Sequence, residues 1–217
     1  MRTPFLIAAL MLSDPAHAGA WLREQGSGFL SFGSTIDELG RSTGSAYAEY
    51  GLRPKLTLGA KVDVDMTAGQ IGDGSAYVFA RKPIPTGERA YKLAYELGIG
   101  GTIEQDPSAL LRTGLSYGRG ITAWDHSGWI AIDGALEWVE SDSSVTAKLD
   151  ATMGLTLNDR FKVMFQVFYS QTETEATTTL APSLIWTPKP DKNRSYQLGV
   201  EAKEGVLGLK LGVWHSF

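Results

Sequence analysis

The chain has 217 residues, with 20 Lys plus Arg against 24 Asp plus Glu and so a formal net charge of −4. It carries 25 Gly, 6 Trp, 8 Tyr and no Cys, which excludes a disulfide scaffold, a thiolate zinc site and a cysteine nucleophile. Mild acidity without a basic cluster argues against nucleic acid as a partner, and 43% hydrophobic content argues against a disordered chain.

At the N-terminus, Met1-Arg2-Thr3 supplies one positive charge, Pro4 to Leu12 an apolar run, and Ala16-His17-Ala18 a small-residue cleavage motif. The apolar run is too short to cross a bilayer as a helix. That order is the pattern of a secretory signal peptide. Residues 1–18 are therefore expected to be removed, leaving 19–217 as one domain that begins at Gly19.

From Gly28 onward the dominant period is two. Apolar and polar residues alternate over 8 to 13 positions, punctuated by Gly, Pro, Asn and Asp, as in strands with one apolar and one polar face. In chain order the expected strands are 28–35, 45–53, 56–66, 75–82, 89–100, 109–118, 128–140, 145–157, 160–170, 176–187, 194–203 and 206–217. The clearest is Val145 to Leu157, where Val145, Ala147, Leu149, Ala151, Met153, Leu155 and Leu157 oppose Thr146, Lys148, Asp150, Thr152, Gly154 and Thr156. The first and fourth strands are weakest. Ala76-Tyr77-Val78-Phe79-Ala80 has large residues on both phases, so its faces are not assigned.

A soluble sandwich also alternates. Strands of ten or more residues, however, suit a tilted crossing of a bilayer, and a polar phase rich in Gly, Thr and isolated charges suits a confined lumen. Tyr50, Tyr91, Tyr117, Trp138, Tyr169, Trp186 and Tyr196 fall near strand ends, where interfacial girdles place aromatic rings. The fold expected is a closed, antiparallel, up-and-down transmembrane β-barrel of twelve strands, or ten if the two weak strands are not formed.

The last strand ends on Phe217, with Leu207, Leu209, Leu211 and Val213 at every second position before it. This terminus resembles the assembly signal of Gram-negative outer-membrane β-barrels, with Leu209, Leu211, Val213 and Phe217 as the matching residues. His215 departs from the usual aromatic or apolar residue two before the end. The resemblance implies an outer-membrane location, contact with lipid and lipopolysaccharide, and insertion by the barrel-assembly machinery.

An even strand count puts both termini at the periplasmic side. The periplasmic turns are then expected at 53–55, 83–88, 119–127, 158–159 and 188–193, and the outer loops are short. Trp124-Asp125-His126-Ser127 juxtaposes Asp, His and Ser, but triads are made by geometry and not by adjacency. His215 and Ser216 fall on opposite strand faces. No catalytic residue, cofactor site or metal site is assigned. The inward phase instead collects Lys61, Asp63, Lys92, Glu96, Arg112, Asp133, Glu137, Lys148, Asp150, Glu201 and Lys210, with Glu49, Asp65, Lys162 and Lys203 beside them. These charges either line a narrow passive channel for small polar solutes or pair across a closed structural barrel. An outer-membrane lipid-modifying enzyme is the weaker third reading, and the oligomeric state is not fixed by the sequence.

Overall fold

The computed structural model describes residues 19–67, 70–141 and 143–217; the expected leader lies outside the described residues. Twelve strands form one closed antiparallel barrel, each paired with its neighbours in sequence: β1 (Gly28–Asp37), β2 (Arg41–Arg53), β3 (Leu56–Thr67), β4 (Gln70–Ile84), β5 (Tyr91–Ile103), β6 (Ala109–Ala123), β7 (His126–Val139), β8 (Val145–Thr156), β9 (Phe161–Gln171), β10 (Ala176–Lys189), β11 (Arg194–Lys203) and β12 (Val206–Ser216). Every expected strand is present, including the first and fourth, so the ten-strand alternative falls away.

Closure is made by β1 against β12, from Phe29↔Ser216 to Asp37↔Gly208. Gly28 N–H donates to the Phe217 carbonyl at 2.7 Å and Phe217 N–H returns to Gly28 at 3.0 Å. This seam leaves the sheet no open edge, and it sets the start of β1 and the C-terminal Phe217 at one end of the barrel, the termini end.

The β6–β7 hairpin at that end is tighter than the sequence suggested. The turn expected over 119–127 is two residues, Trp124 and Asp125, because β6 runs on to Ala123 and pairs it with His126. Both turn residues have positive φ, 48° and 62°, the left-handed backbone that matches the twist of a two-residue hairpin. Asp125 thus sits in the turn while His126 and Ser127 open β7 on opposite faces, which disposes of the Asp-His-Ser juxtaposition. At the opposite end β2 begins at Arg41 and β4 at Gln70, ahead of their expected starts.

The outer surface is the apolar phase. Phe32, Leu97, Leu115 and Leu198 are 54–63% exposed, and Leu209, Leu211, Val213 and Phe217 also face outward. Rings gather outside at the termini end, with Tyr91 on Tyr117 (centroids 5.6 Å apart) and Trp186 on Tyr196 (5.9 Å). Inside, Trp129, Met164 and Ile185 form a buried cluster near the same end, packed by Trp214 and by Trp21 of the segment preceding β1. Farther from the termini, Tyr77, Phe79 and Leu110 form a second cluster with Tyr47 and Val139.

Glycine on the inward phase makes room for these rings. A side chain at Gly154, opposite Trp129 in register, would run into the indole. Replacing Gly154 with Val should therefore destabilise the folded barrel by about 1–3 kcal/mol through overpacking, measured as a lower urea midpoint in detergent.

Candidate functional site: the barrel lumen

Strand alternation turns Lys61, Asp63, Lys92, Glu96, Arg112, Asp133, Glu137, Lys148, Asp150, Glu201 and Lys210 toward the lumen phase, opposite the exposed apolar residues of the same strands. Their partners divide the interior into two unlike walls.

One wall, from β2 to β8, carries an ion-pair chain. Arg23 Nε donates to Glu49 at 2.7 Å; Glu49 accepts from Arg81 Nη1; Arg81 Nη2 reaches Glu96 at 2.6 Å. Arg112 Nε then donates to the other Glu96 oxygen at 3.0 Å and its Nη1 to Glu137, and Lys148 closes the chain on Glu137 at 2.7 Å. Cations and carboxylates thus alternate through seven residues. Arg81↔Glu96 and Arg112↔Glu137 are direct cross-strand pairs, whereas Glu96–Arg112 and Glu137–Lys148 are diagonals. Glu49 and Arg81 are separated by β3, where the neighbour of Glu49 is Gly59. With no side chain at 59, the Phe79 ring lies across that strand, and Arg81 stacks on Phe79 with its guanidinium 4.9 Å from the ring centroid. Tyr47 adds its hydroxyl to Glu49 and stacks on Phe79 at 5.8 Å.

Arg81 and Arg23 were missed from the sequence. Arg81 lies on the strand whose phase could not be read, and Arg23 lies outside any strand. A usable signal for Arg81 was its odd-numbered phase shared with Tyr77 and Phe79, once those rings are known to point inward.

The opposite wall, from β9 through β12 to β2, mixes hydroxyls and amides with charges of both signs. A cavity of about 380 Å³ opens at the end away from the termini, bounded by Thr35, Thr43, Asp65, Glu201 and Lys203. Deeper along β1 and β12 lies a cavity of about 210 Å³ bounded by Ser31, Ser45, Gln166, Gln197 and Lys210. Glu201 joins the two, accepting from Thr35 at 3.3 Å and facing Lys210 at 3.8 Å. Lys61 pairs with Asp63 on its own strand at 2.8 Å. Lys92 has the inward phase but sits exposed at the termini-end rim, away from the chain of ion pairs.

The deeper cavity ends against Phe29, Trp129 and Trp214. The segment before β1 packs at this end: Ala20 is 3% exposed, Trp21 covers Gly118, and Arg23 N–H donates to Thr57 Oγ1 at 3.0 Å. Among the described residues no group of three or more His, Asp or Glu is placed to hold a metal ion. His215 stacks on Phe217, with centroids 6.0 Å apart, and Ser216 takes the other face.

The buried interior of the ion-pair chain and its Lys148 end should differ in worth. Arg81→Met removes the buried cation that Glu49 and Glu96 share, leaves each with a single arginine, and should cost about 3–5 kcal/mol. Lys148→Met removes a partly exposed terminal charge and should cost about 0–1 kcal/mol. Urea unfolding of the two variants in detergent checks the contrast.

No family model matches the sequence, and no curated protein matches it either. In structure the barrel is similar to the KdgM porin in complex with disordered oligogalacturonate (TM-score 0.67, 12% identity, covering 87% of this chain and 99% of that one). It is also similar to the NanC porin (TM-score 0.61, 10% identity, 85% and 98%). An outer-membrane channel from Pseudomonas putida F1 aligns with TM-score 0.55 and 10% identity over 94% and 99%. At these identities the likeness is one of fold: the closed twelve-strand barrel is the architecture of porin-like outer-membrane proteins.

Proposed function

We propose that the protein is a narrow passive channel of the Gram-negative outer membrane for small polar solutes. The observation that carries this reading is the asymmetry of the lumen. One wall is locked by the ion-pair chain and its stacked rings, while the other presents Ser, Thr and Gln, interspersed with Asp65, Glu201, Lys203 and Lys210, around two successive cavities. A barrel built only to fill itself has no use for a polar cavity that opens at one mouth, since apolar packing of that wall would be more stable.

The outward apolar phase and the ring pairs at the termini end support a bilayer around the barrel, with lipid and lipopolysaccharide as its surroundings. Leu209, Leu211, Val213 and Phe217 are then the residues offered to the insertion machinery. The solute class follows from charge. One structural relative, KdgM, is described with oligogalacturonate, a polyanion. Here Lys61, Arg81, Arg112, Lys148 and Lys210 each face a carboxylate, so the lumen offers hydrogen bonds more than net charge, and uncharged polar solutes suit it. The closed structural barrel keeps one observation in its favour, the ring cluster of Trp21, Trp129 and Trp214 at the inner end of the cavity.

Planar-bilayer recording separates the two. A channel gives discrete current steps, and Lys210→Glu, which adds a carboxylate beside Glu201, should move the reversal potential toward cation preference. A folded barrel that passes no current would overturn the channel. The bilayer itself is tested by Leu97→Arg, at the middle of β5 and 59% exposed on the outer face; a charge at mid-depth should cost about 2–4 kcal/mol in lipid vesicles.

A further inference from the structure

Gly19, the residue that would follow the Ala16-His17-Ala18 motif, is seated inside the barrel. A side-chain carbon built on its α-carbon would lie 2.5 Å from Ser116 Oγ and 2.6 Å from Asp133 Oδ1, so only glycine fits without displacing them. The nitrogen on the same α-carbon therefore lies within about 5 Å of the Asp133 carboxylate, from standard bond geometry alone.

Asp133 is unusual among the lumen carboxylates. It stands directly across β7 and β8 from Asp150, and like charges opposed in register are destabilising. Among the described residues, neither aspartate has an ion pair, whereas Glu49, Glu96, Glu137, Glu201 and Asp63 all do. The nearby cations are committed elsewhere. The Arg81 guanidinium carbon is 3.3 Å from the Gly19 side-chain position, but it already serves Glu49 and Glu96. Lys61 holds Asp63 and Lys148 holds Glu137. Ser116 gives Asp133 a hydrogen bond, but a confined carboxylate pair whose neighbouring cations are all shared with other carboxylates is costly.

We propose that maturation supplies this cation: removal of the leader after Ala18 creates an α-ammonium on Gly19 that pairs with Asp133 and pins Gly19–Arg23 as a plug in the termini-end mouth. The step is hydrolysis by a leader peptidase. Water adds its hydroxyl to the Ala18 carbonyl carbon as the Ala18–Gly19 amide breaks, and the freed amine takes up a proton, as α-amino groups largely do at neutral pH. In the unprocessed chain that nitrogen is an uncharged amide, so the ion pair forms only in the mature protein. The segment has further holds ready: Ala20 against Gly118, Trp21 on the Trp129 cluster, and Arg23 on Glu49 and Thr57. The plug's effect on flow rests on the channel proposed above; the ion pair itself does not.

The test begins with the full-length chain expressed with its leader and extracted folded from outer membranes. Intact mass should match residues 19–217; a chain beginning elsewhere overturns the proposal. The α-amine is then acylated near neutral pH and located by tandem mass spectrometry. In the folded protein it should react about tenfold or more slowly than in Asp133→Asn, because the pair must open first; equal rates overturn the pair. Water-soluble carbodiimide gives a readout that needs no variant: a Gly19–Asp133 amide should form when the folded barrel is treated and should not form when the chain is unfolded in urea before treatment, and its absence from the folded barrel again overturns the pair. Bilayer recording completes the set. Larger unitary currents in Asp133→Asn than in the native chain support the plug, and unchanged currents overturn it. If both proteins are silent while α-amine protection holds, it is the channel reading that fails and the ion pair that stands.

Discussion

Everything in this barrel depends on closure of the sheet between β1 and β12. An open twelve-strand sheet would expose two rows of unpaired N–H and C=O groups, which is intolerable where no water can solvate them. The Gly28–Phe217 hydrogen bonds and the register from Phe29↔Ser216 onward remove those edges. Closure also separates the two faces of every strand into an inside and an outside. Leucine and valine are then left to an apolar surround, and each lysine, arginine and carboxylate of the other phase must find a partner within the lumen.

The interior resolves that demand unevenly. On the β2–β8 wall, Arg23, Arg81, Arg112 and Lys148 alternate with Glu49, Glu96 and Glu137, so each inner charge is shared by two of opposite sign. Such a chain adds little net stability over an apolar core but is costly to interrupt, and it fixes the packing of Tyr47, Tyr77 and Phe79 around it. Glycines at 59 and 154 let those long or flat side chains lie along the wall. Because one wall is filled in this way, the space remains along the other, where hydroxyls and amides stand between Asp65, Glu201, Lys203 and Lys210.

The end of the barrel that holds both termini is the constricted one. Trp129, Trp214 and Trp21 gather at that level, and the segment before β1 supplies Trp21 together with Arg23, which belongs equally to the ion-pair chain. The same short segment thus ties the ring cluster to the charged wall. Any movement of it would change the inner end of the polar cavity first.

The sequence by itself determined the strands, their number and which residues face inward wherever one phase was clearly apolar, because a period of two is a local property of the backbone. Val145 to Thr156 reads the same in the chain and in the barrel. Alternation alone also assigned fifteen charges to the inward phase. It could not orient β4, since Tyr77 and Phe79 are as large as any outward residue; that they point inward is decided by Tyr47 on β2 and by the room at Gly59, contacts that do not exist until the strands are in register. Arg81, the link between Glu49 and Glu96, was hidden with them. The two-residue turn at Trp124-Asp125 carries no Asn-Gly signal, and its left-handed backbone is imposed by the pairing of β6 with β7. Which charge meets which was likewise left to the tertiary structure, because strand tilt turns some partners into diagonals, and the seat of Gly19 beside Asp133 exists only once the barrel has closed around it.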